Sequence, residues 1–225
     1  MKAAIIYVEN HQKSISQAKK CFASCKKLGY DVLTFKGSTP DNMKIKFDYD
    51  EIEDARVRIF KKENIKKYFA KKACFSNHIR LWKHIVKTNE PLLVLEHDAI
   101  AIKEWDNPKY DEVLVLNMKS AMSRSIAHAV KPPESAYEKE GTHNIETSGS
   151  KLIYNRDNKY NGSYMMPGTA SYVINPIAAS KLLNALDGGW EQSDYFMNTF
   201  NINIKYTVPD YFTLNENNLL MSHGL

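Results

Sequence analysis

A chain of 225 residues, 43% hydrophobic and 25% charged, has an ordinary globular composition and is long enough to bury a sizeable core. It has no apolar run near the roughly 18 residues that span a bilayer, and its three cysteines, an odd number, do not form a disulfide framework. The net charge of +5 is uneven, because Arg56 to Lys72 holds eight basic residues against the single acid Glu63, leaving this segment at +7 and the rest at −2. Such a cluster attracts phosphate in nucleotides, nucleic acid or lipid headgroups. Its lysine pairs begin at 61, 66 and 71, a spacing that instead spreads them around a helix as a solvated surface.

The first residues, Met1-Lys2-Ala3-Ala4-Ile5-Ile6-Tyr7-Val8, have too short an apolar part for a signal peptide and meet Glu9 at once. Residues 3–8 are therefore expected as a first buried strand, in a cytoplasmic protein. Residues 12–28 put Ile15, Ala18, Phe22, Cys25 and Leu28 on one side of a helix that stops at Gly29. Asp31 to Phe35 follows as a second strand, completing a β-α-β unit that favours parallel pairing. Gly37-Ser38-Thr39-Pro40-Asp41 reads as a loop. Two helices are expected at 59–72 and 76–88, the second built on Ile79, Trp82, Ile85 and Val86 with Ser76 as its cap. Pro91 and the apolar run Leu92-Leu93-Val94-Leu95 read as a strand covered on both faces, and Glu112 to Asn117 contains another. Residues 118–167 are rich in Ser, Lys, Asn, Gly and Tyr and show no period, as expected of a binding loop region. Gly168 to Ile174 returns to strand. Asn175-Pro176 opens a helix to about Leu186, and Gly188-Gly189 breaks it. A helix over Glu191 to Phe200, a strand over Ile202 to Val208 and an irregular tail complete the chain. With no internal repeat and no clear linker, residues 1–225 are expected to form a single domain.

The most informative point is where the 92–95 strand ends, at Glu96-His97-Asp98. Ligands of open α/β sheets gather at the carboxyl ends of strands. Two acids one residue apart on an extended chain point the same way and suit one divalent cation with a diphosphate; the alternative is a strand that simply ends in solvated acids. His97 would face the opposite side. Asp48-Tyr49-Asp50 has the same spacing but follows Lys44-Ile45-Lys46-Phe47, which is no buried strand, so it reads as a solvated acidic turn. Cys21 and Cys25, four apart, find no second Cys or His pair, and with Cys74 they read as core thiols.

Four segments in order resemble glycosyltransferase family 25: Cys74-Phe75-Ser76-Asn77-His78-Ile79-Arg80-Leu81-Trp82, Glu96-His97-Asp98-Ala99, Gly168-Thr169-Ala170-Ser171-Tyr172-Val173-Ile174-Asn175, and Ser193-Asp194. Two positions depart from the family pattern: His97 stands where the family has Asp, and Glu9-Asn10-His11 replaces an arginine-bearing pattern near the amino terminus. The resemblance implies an α/β fold of the GT-A type, a single domain with a mixed, mostly parallel central sheet flanked by helices. Residues 1–117 would then be the nucleotide-sugar-binding half and 118–225 the acceptor-binding half. It also implies a metal-dependent, inverting transfer from a UDP-sugar to a hydroxyl. The typical acceptor of the family is lipooligosaccharide. The small basic chain is also similar to phage transferases that glycosylate hydroxymethylated cytosine in DNA; that base is the acceptor expected first, engaged as double-stranded DNA through Arg56 to Lys72 in the host cytoplasm, with a lipooligosaccharide or other glycan as the alternative. A plain nucleic-acid-binding protein is the competing class, although no helix-turn-helix, zinc knuckle or aromatic ribonucleoprotein signature supports it.

On this resemblance Asp98 is the first metal ligand, for Mn²⁺ or Mg²⁺. Glu96 holds the ribose or reaches the metal through water. His223 is a further metal ligand or part of a loose tail. Asp194 is the base, or an acid stabilised at a helix start. Tyr7, Val8 and Glu9 end the first strand where the nucleotide base would rest, with Tyr7 stacked on uracil or packed in the core. Ser76 and His78 reach the diphosphate from a helix start, or serve as a cap and a core histidine.

Overall fold

The computed structural model describes residues 1–43, 65–124, 137–147, 150–151, 162–186 and 191–215. Strand β1 (Lys2–Tyr7), helix α1 (Gln12–Lys27) and strand β2 (Asp31–Lys36) form the expected opening unit, with β1 and β2 parallel. His11 caps α1 by accepting the Ser14 N–H on Nδ1, and Gly29 ends the turn with φ +74°, a conformation that side chains with a Cβ resist.

Helix α2 runs unbroken from Ile65 to Thr88, which corrects the expectation of two helices separated near residue 75. Ser76 sits inside it, fully buried, rather than at a helix start. Propensity is nearly neutral across Ala73-Cys74-Phe75-Ser76, so burial of Phe75, Ser76 and His78 against the sheet keeps the helix going. Strand β3 (Leu92–Glu96) follows, then β4 (Ala99–Ala101), β5 (Val113–Val115), the short helix α3 (Met118–Arg124), β6 (Gly141–Asn144) and a 3₁₀ turn at Ile145–Thr147. Next come β7 (Ser150–Lys151), β8 (Tyr164–Met165), β9 (Ser171–Ile174), α4 (Pro176–Asn184), α5 (Ser193–Phe196), β10 (Ile204–Val208) and β11 (Phe212–Leu214). The helix expected over 191–200 is therefore one turn long, and the tail contains a strand that its sequence does not advertise.

Among the described residues the main sheet has seven strands in the order β2-β1-β3-β9-β5-β10-β6. Five run the same way; β9 and β6 oppose them, making three of the six pairings antiparallel. The architecture is the mixed α/β sheet with flanking helices that the sequence implies. Alternation divides β3 between two cores. Leu92 and Val94 join Ala4, Ile6 and Tyr172 beneath Phe75, Ile79, Trp82 and Ile85 of α2. Leu93 and Leu95 join Ala3 and Ile5 against Ala18, Cys21 and Cys25 of α1. Covering of both faces explains the apolar run in β3, which turns polar at its carboxyl end with Glu96.

Candidate active site

Glu96 continues the alternation of Leu92 and Val94, so its carboxylate turns toward α2. Thr169 Oγ1 donates to Glu96 Oε1 at 2.5 Å, and His78 Nε2 lies 3.6 Å from the same oxygen. His78 is fully buried, and its Nδ1 is 2.8 Å from the Tyr172 hydroxyl, which also accepts the Trp82 indole N–H at 3.3 Å. Burial alone would push the Glu96 pKa up. The His78 ring beside it, the Thr169 hydroxyl and His97 outweigh it and hold the carboxyl below its usual range. The side chain remains 28% exposed, so the carboxylate is ionised and reachable from the mouth.

Cys74 lies one helical turn before His78. The ligand atoms of Cys74, His78 and Glu96 all fall within 4.8 Å of one another, the one such triad of metal-binding groups among the described residues. Burial raises the Cys74 thiol pKa, and Glu96, Asp194 and Asp98 raise it further against a Ser193 hydrogen bond. Sequence reasoning left Cys74 in the core; its i, i+4 spacing from His78 on a helix was the available signal.

The strand does not extend to Asp98. The chain turns at His97-Asp98 before β4, so alternation sets the direction of Glu96 but not of Asp98. Asp98 is half-buried at this turn, and its backbone oxygen accepts the Asn215 N–H at 3.0 Å, just after β11 pairs with β4. His97 is half-buried too, and its buried Nε2 has no hydrogen-bond partner among the described residues. Neither acid stands free in bulk solvent.

Asp194 occupies the first turn of α5, half-buried. Burial pushes its pKa up to about 6; Glu191 and Glu96 add to the rise, while Lys71 and a backbone hydrogen bond oppose it. Glu96 acts on Asp194, and both act on Cys74, so the two carboxylates are neighbours although they are 98 positions apart in the chain. Lys71 donates from Nζ to Gln192 Oε1 at 2.5 Å, and Lys72 is buried, with its pKa lowered by desolvation. These two residues of the basic segment are thus turned into the fold; residues 56–64, and with them most of that segment, lie outside the described residues, as do Asp48-Tyr49-Asp50 and His223.

Tyr7 ends β1 and Val8 follows it, both half-buried, and the Val8 N–H is taken by Ser14 Oγ at 2.9 Å. Glu9 is exposed and ion-paired with Lys36. Next to them, Gly37 N–H donates to Tyr7 O at 2.8 Å, and a Cβ on Gly37 would stand 3.1 Å from that oxygen and 3.2 Å from Asn77 Nδ2. Asn77 Oδ1 accepts the Ser38 N–H at 2.6 Å, and Arg80 bonds Lys36 O and Ser38 Oγ while lying over the Phe35 ring. Helix α2 is thereby fastened to the loop after β2. Ser76, buried mid-helix, has a hydroxyl with no hydrogen-bond partner among the described residues. Ser76 and His78 stand on this helix without the helix start that the sequence suggested for them. Thr169, Tyr172 and Asn77 emerge as site residues to which the sequence assigned no role; Thr169 and Tyr172 lie within the Gly-x-x-x-Tyr segment.

A mixed seven-stranded sheet flanked by helices, with one carboxylate at the end of β3 and a second on α5, is the GT-A-like architecture of sugar transferases. Sequence comparison carries this further: residues 3–197 match glycosyltransferase family 25 (LPS biosynthesis protein). The chain belongs to that family and is a glycosyltransferase. No curated protein matches it. Among the described residues no helix is long and apolar enough to cross a membrane.

Proposed function

We propose that this enzyme moves a sugar from a UDP-sugar to a hydroxyl of a glycan acceptor, with inversion, aided by Mn²⁺ or Mg²⁺. The observation that carries the reading is Asp194, a carboxyl with a pKa of about 6 that shares a mouth with the ionised Glu96. A base with such a pKa is largely ionised at neutral pH yet still accepts a proton effectively. In the transfer, Asp194 takes the proton of the acceptor hydroxyl, the freed oxygen bonds to the sugar's anomeric carbon, and the bond from that carbon to the diphosphate breaks. Lys71, whose charge acts on Asp194, favours its ionised form before the transfer.

The divalent cation, when bound, neutralises charge that builds on the departing diphosphate. The residues fit it in chemistry: Asp98 supplies a hard oxygen, and His97 beside it has an unpartnered, buried Nε2. Glu96 Oε1 is held by Thr169 and faces His78, which favours Asp98 as the ligand of the donor's cation and leaves the second Glu96 oxygen to the ribose or a metal-bound water. His223 follows Asn215, bonded at Asp98, by eight residues, a tether of at most about 29 Å, so it can return to this cation. Tyr7 and Val8 would receive the uracil, with residues 1–117 serving the donor and 118–225 the acceptor. Glu9 is spoken for by Lys36 and contributes at the rim, and Ser76 and His78 would support the diphosphate side from within α2.

The family's description as lipopolysaccharide biosynthesis proteins favours a glycan over hydroxymethylated cytosine in DNA, as does the inward orientation of Lys71 and Lys72. The test is transfer from a panel of UDP-sugars with Mn²⁺ to a lipooligosaccharide or to hydroxymethylcytosine DNA. Asp98→Asn should abolish metal-dependent turnover; full activity in that variant would overturn the metal assignment, and DNA as the sole acceptor would overturn the glycan.

A further inference from the structure

We infer that Cys74, His78 and Glu96 form a second cation site, one for a borderline-soft divalent ion such as Zn²⁺, separate from the site of the donor's cation. The inference goes beyond the proposed transfer and does not depend on it; with the ion bound, His78 and one oxygen of Glu96 serve it instead of the diphosphate and ribose. Cys74 and His78 stand four residues apart on α2, so both project from one helical face, and Glu96 meets them from the end of β3. Ligand atoms around tetrahedral zinc lie about 3.3–3.6 Å apart. His78 Nε2 and Glu96 Oε1 are already 3.6 Å apart, and no pair in the triad exceeds 4.8 Å, so closure around an ion asks for a contraction of about 1 Å.

An independent observation points the same way. His78 is fully buried, yet its Nε2 makes no hydrogen bond among the described residues, its one acidic neighbour, Glu96 Oε1, standing off at 3.6 Å. The other ring nitrogen is anchored to Tyr172 at 2.8 Å. With an ion on Nε2, Nδ1 keeps the ring proton and donates it to the Tyr172 oxygen, the outer support that metal-bound histidines use. Thr169 holds the carboxylate in the same manner. Thiolate and imidazole favour zinc over Mg²⁺ or Mn²⁺, whose preference is for oxygen. On binding, the Cys74 thiol releases its proton to solvent as the metal–sulfur bond forms. Three protein ligands are the number found where a fourth position is left to water.

The test is titration of the metal-free full chain with Co²⁺, followed by absorbance. One equivalent should produce a thiolate-to-cobalt charge-transfer band in the near ultraviolet and visible bands of a four-coordinate ion. Zn²⁺ should displace both, whereas a hundredfold excess of Mg²⁺ should not. Cys74→Ser should lose the charge-transfer band. Absence of that band from the native chain, or its persistence in a folded Cys74→Ser variant, overturns the inference. If Cys74→Ser does not fold, alkylation of the native chain decides: Zn²⁺ should slow modification of Cys74 at least tenfold and leave Cys21 and Cys25 unchanged, and equal rates overturn the inference. These readouts need no transferase activity, so failure here and failure of the proposed transfer are separate results.

Discussion

At the scale of single residues, the site rests on groups whose ordinary acidity has been displaced. Asp194 titrates at about 6 because its carboxyl is desolvated and shares the mouth with Glu191 and Glu96. As the base it must be ionised, so kcat should fall as pH drops below about 6, and Asp194→Asn should lower kcat by about 10²–10⁴-fold. The stability effect has the opposite sign. A carboxyl raised from 3.8 to about 6 in the folded protein binds more protons there than in the unfolded chain, so stability falls as pH rises through that window. Asp194→Asn should therefore melt at a higher temperature than the native chain at pH 7.5 while being nearly inactive; a lower Tm would refute this account of the desolvation. Tyr172 bridges His78 and Trp82 entirely out of water. Tyr172→Phe leaves both nitrogens short of a partner and should cost about 1–3 kcal/mol in urea unfolding; an unchanged midpoint would show that the two groups find other partners.

At the scale of elements, α2 is the organiser. Its described side chains include Phe75, Ile79, Trp82 and Ile85 toward the sheet and the polar Asn77, His78 and Arg80 toward the site and the loop after β2. Gly37 is the contact point, since a Cβ there would stand 3.1 Å from Tyr7 O and 3.2 Å from Asn77 Nδ2, closer than ordinary contact, and would push the loop or Asn77 away. Gly37→Ala should lower stability by about 1–3 kcal/mol. If Tyr7 and Val8 receive the donor, it should also raise KM for the UDP-sugar more than it lowers kcat, and steady-state kinetics would separate the two. The break expected between residues 73 and 76 illustrates a limit of local signals. Ser76 is a good N-cap residue, but its placement is decided by burial of the surrounding turn.

At the scale of the whole molecule, charge bears on the acceptor. The chain carries +5 overall, with its basic excess between Arg56 and Lys72. A DNA substrate held by several lysines would lose on the order of a thousandfold in affinity between 50 and 200 mM salt. With a glycan acceptor, KM should change less than about threefold over the same range, and a steep slope would return DNA to the leading place. The β4–β11 pairing matters at this scale too, because it brings Asn215 beside Asp98 across 117 positions of sequence.

Much of the framework was legible from the chain alone. The β-α-β opening, the doubly covered β3, the helix after Asn175-Pro176 and the polar outlet at Glu96 follow from periodicity, caps and alternation, all of which act over a few residues. The length of α2, the turn that takes Asp98 off the strand and the β4–β11 pairing belonged to the tertiary structure. So did the partners of Glu96, which come from residues 18 positions before it and 73 after it. A run of residues sets which face is apolar; only the packed fold decides which polar groups from distant segments meet at its edge, and their mutual distances set acidity and ligand choice.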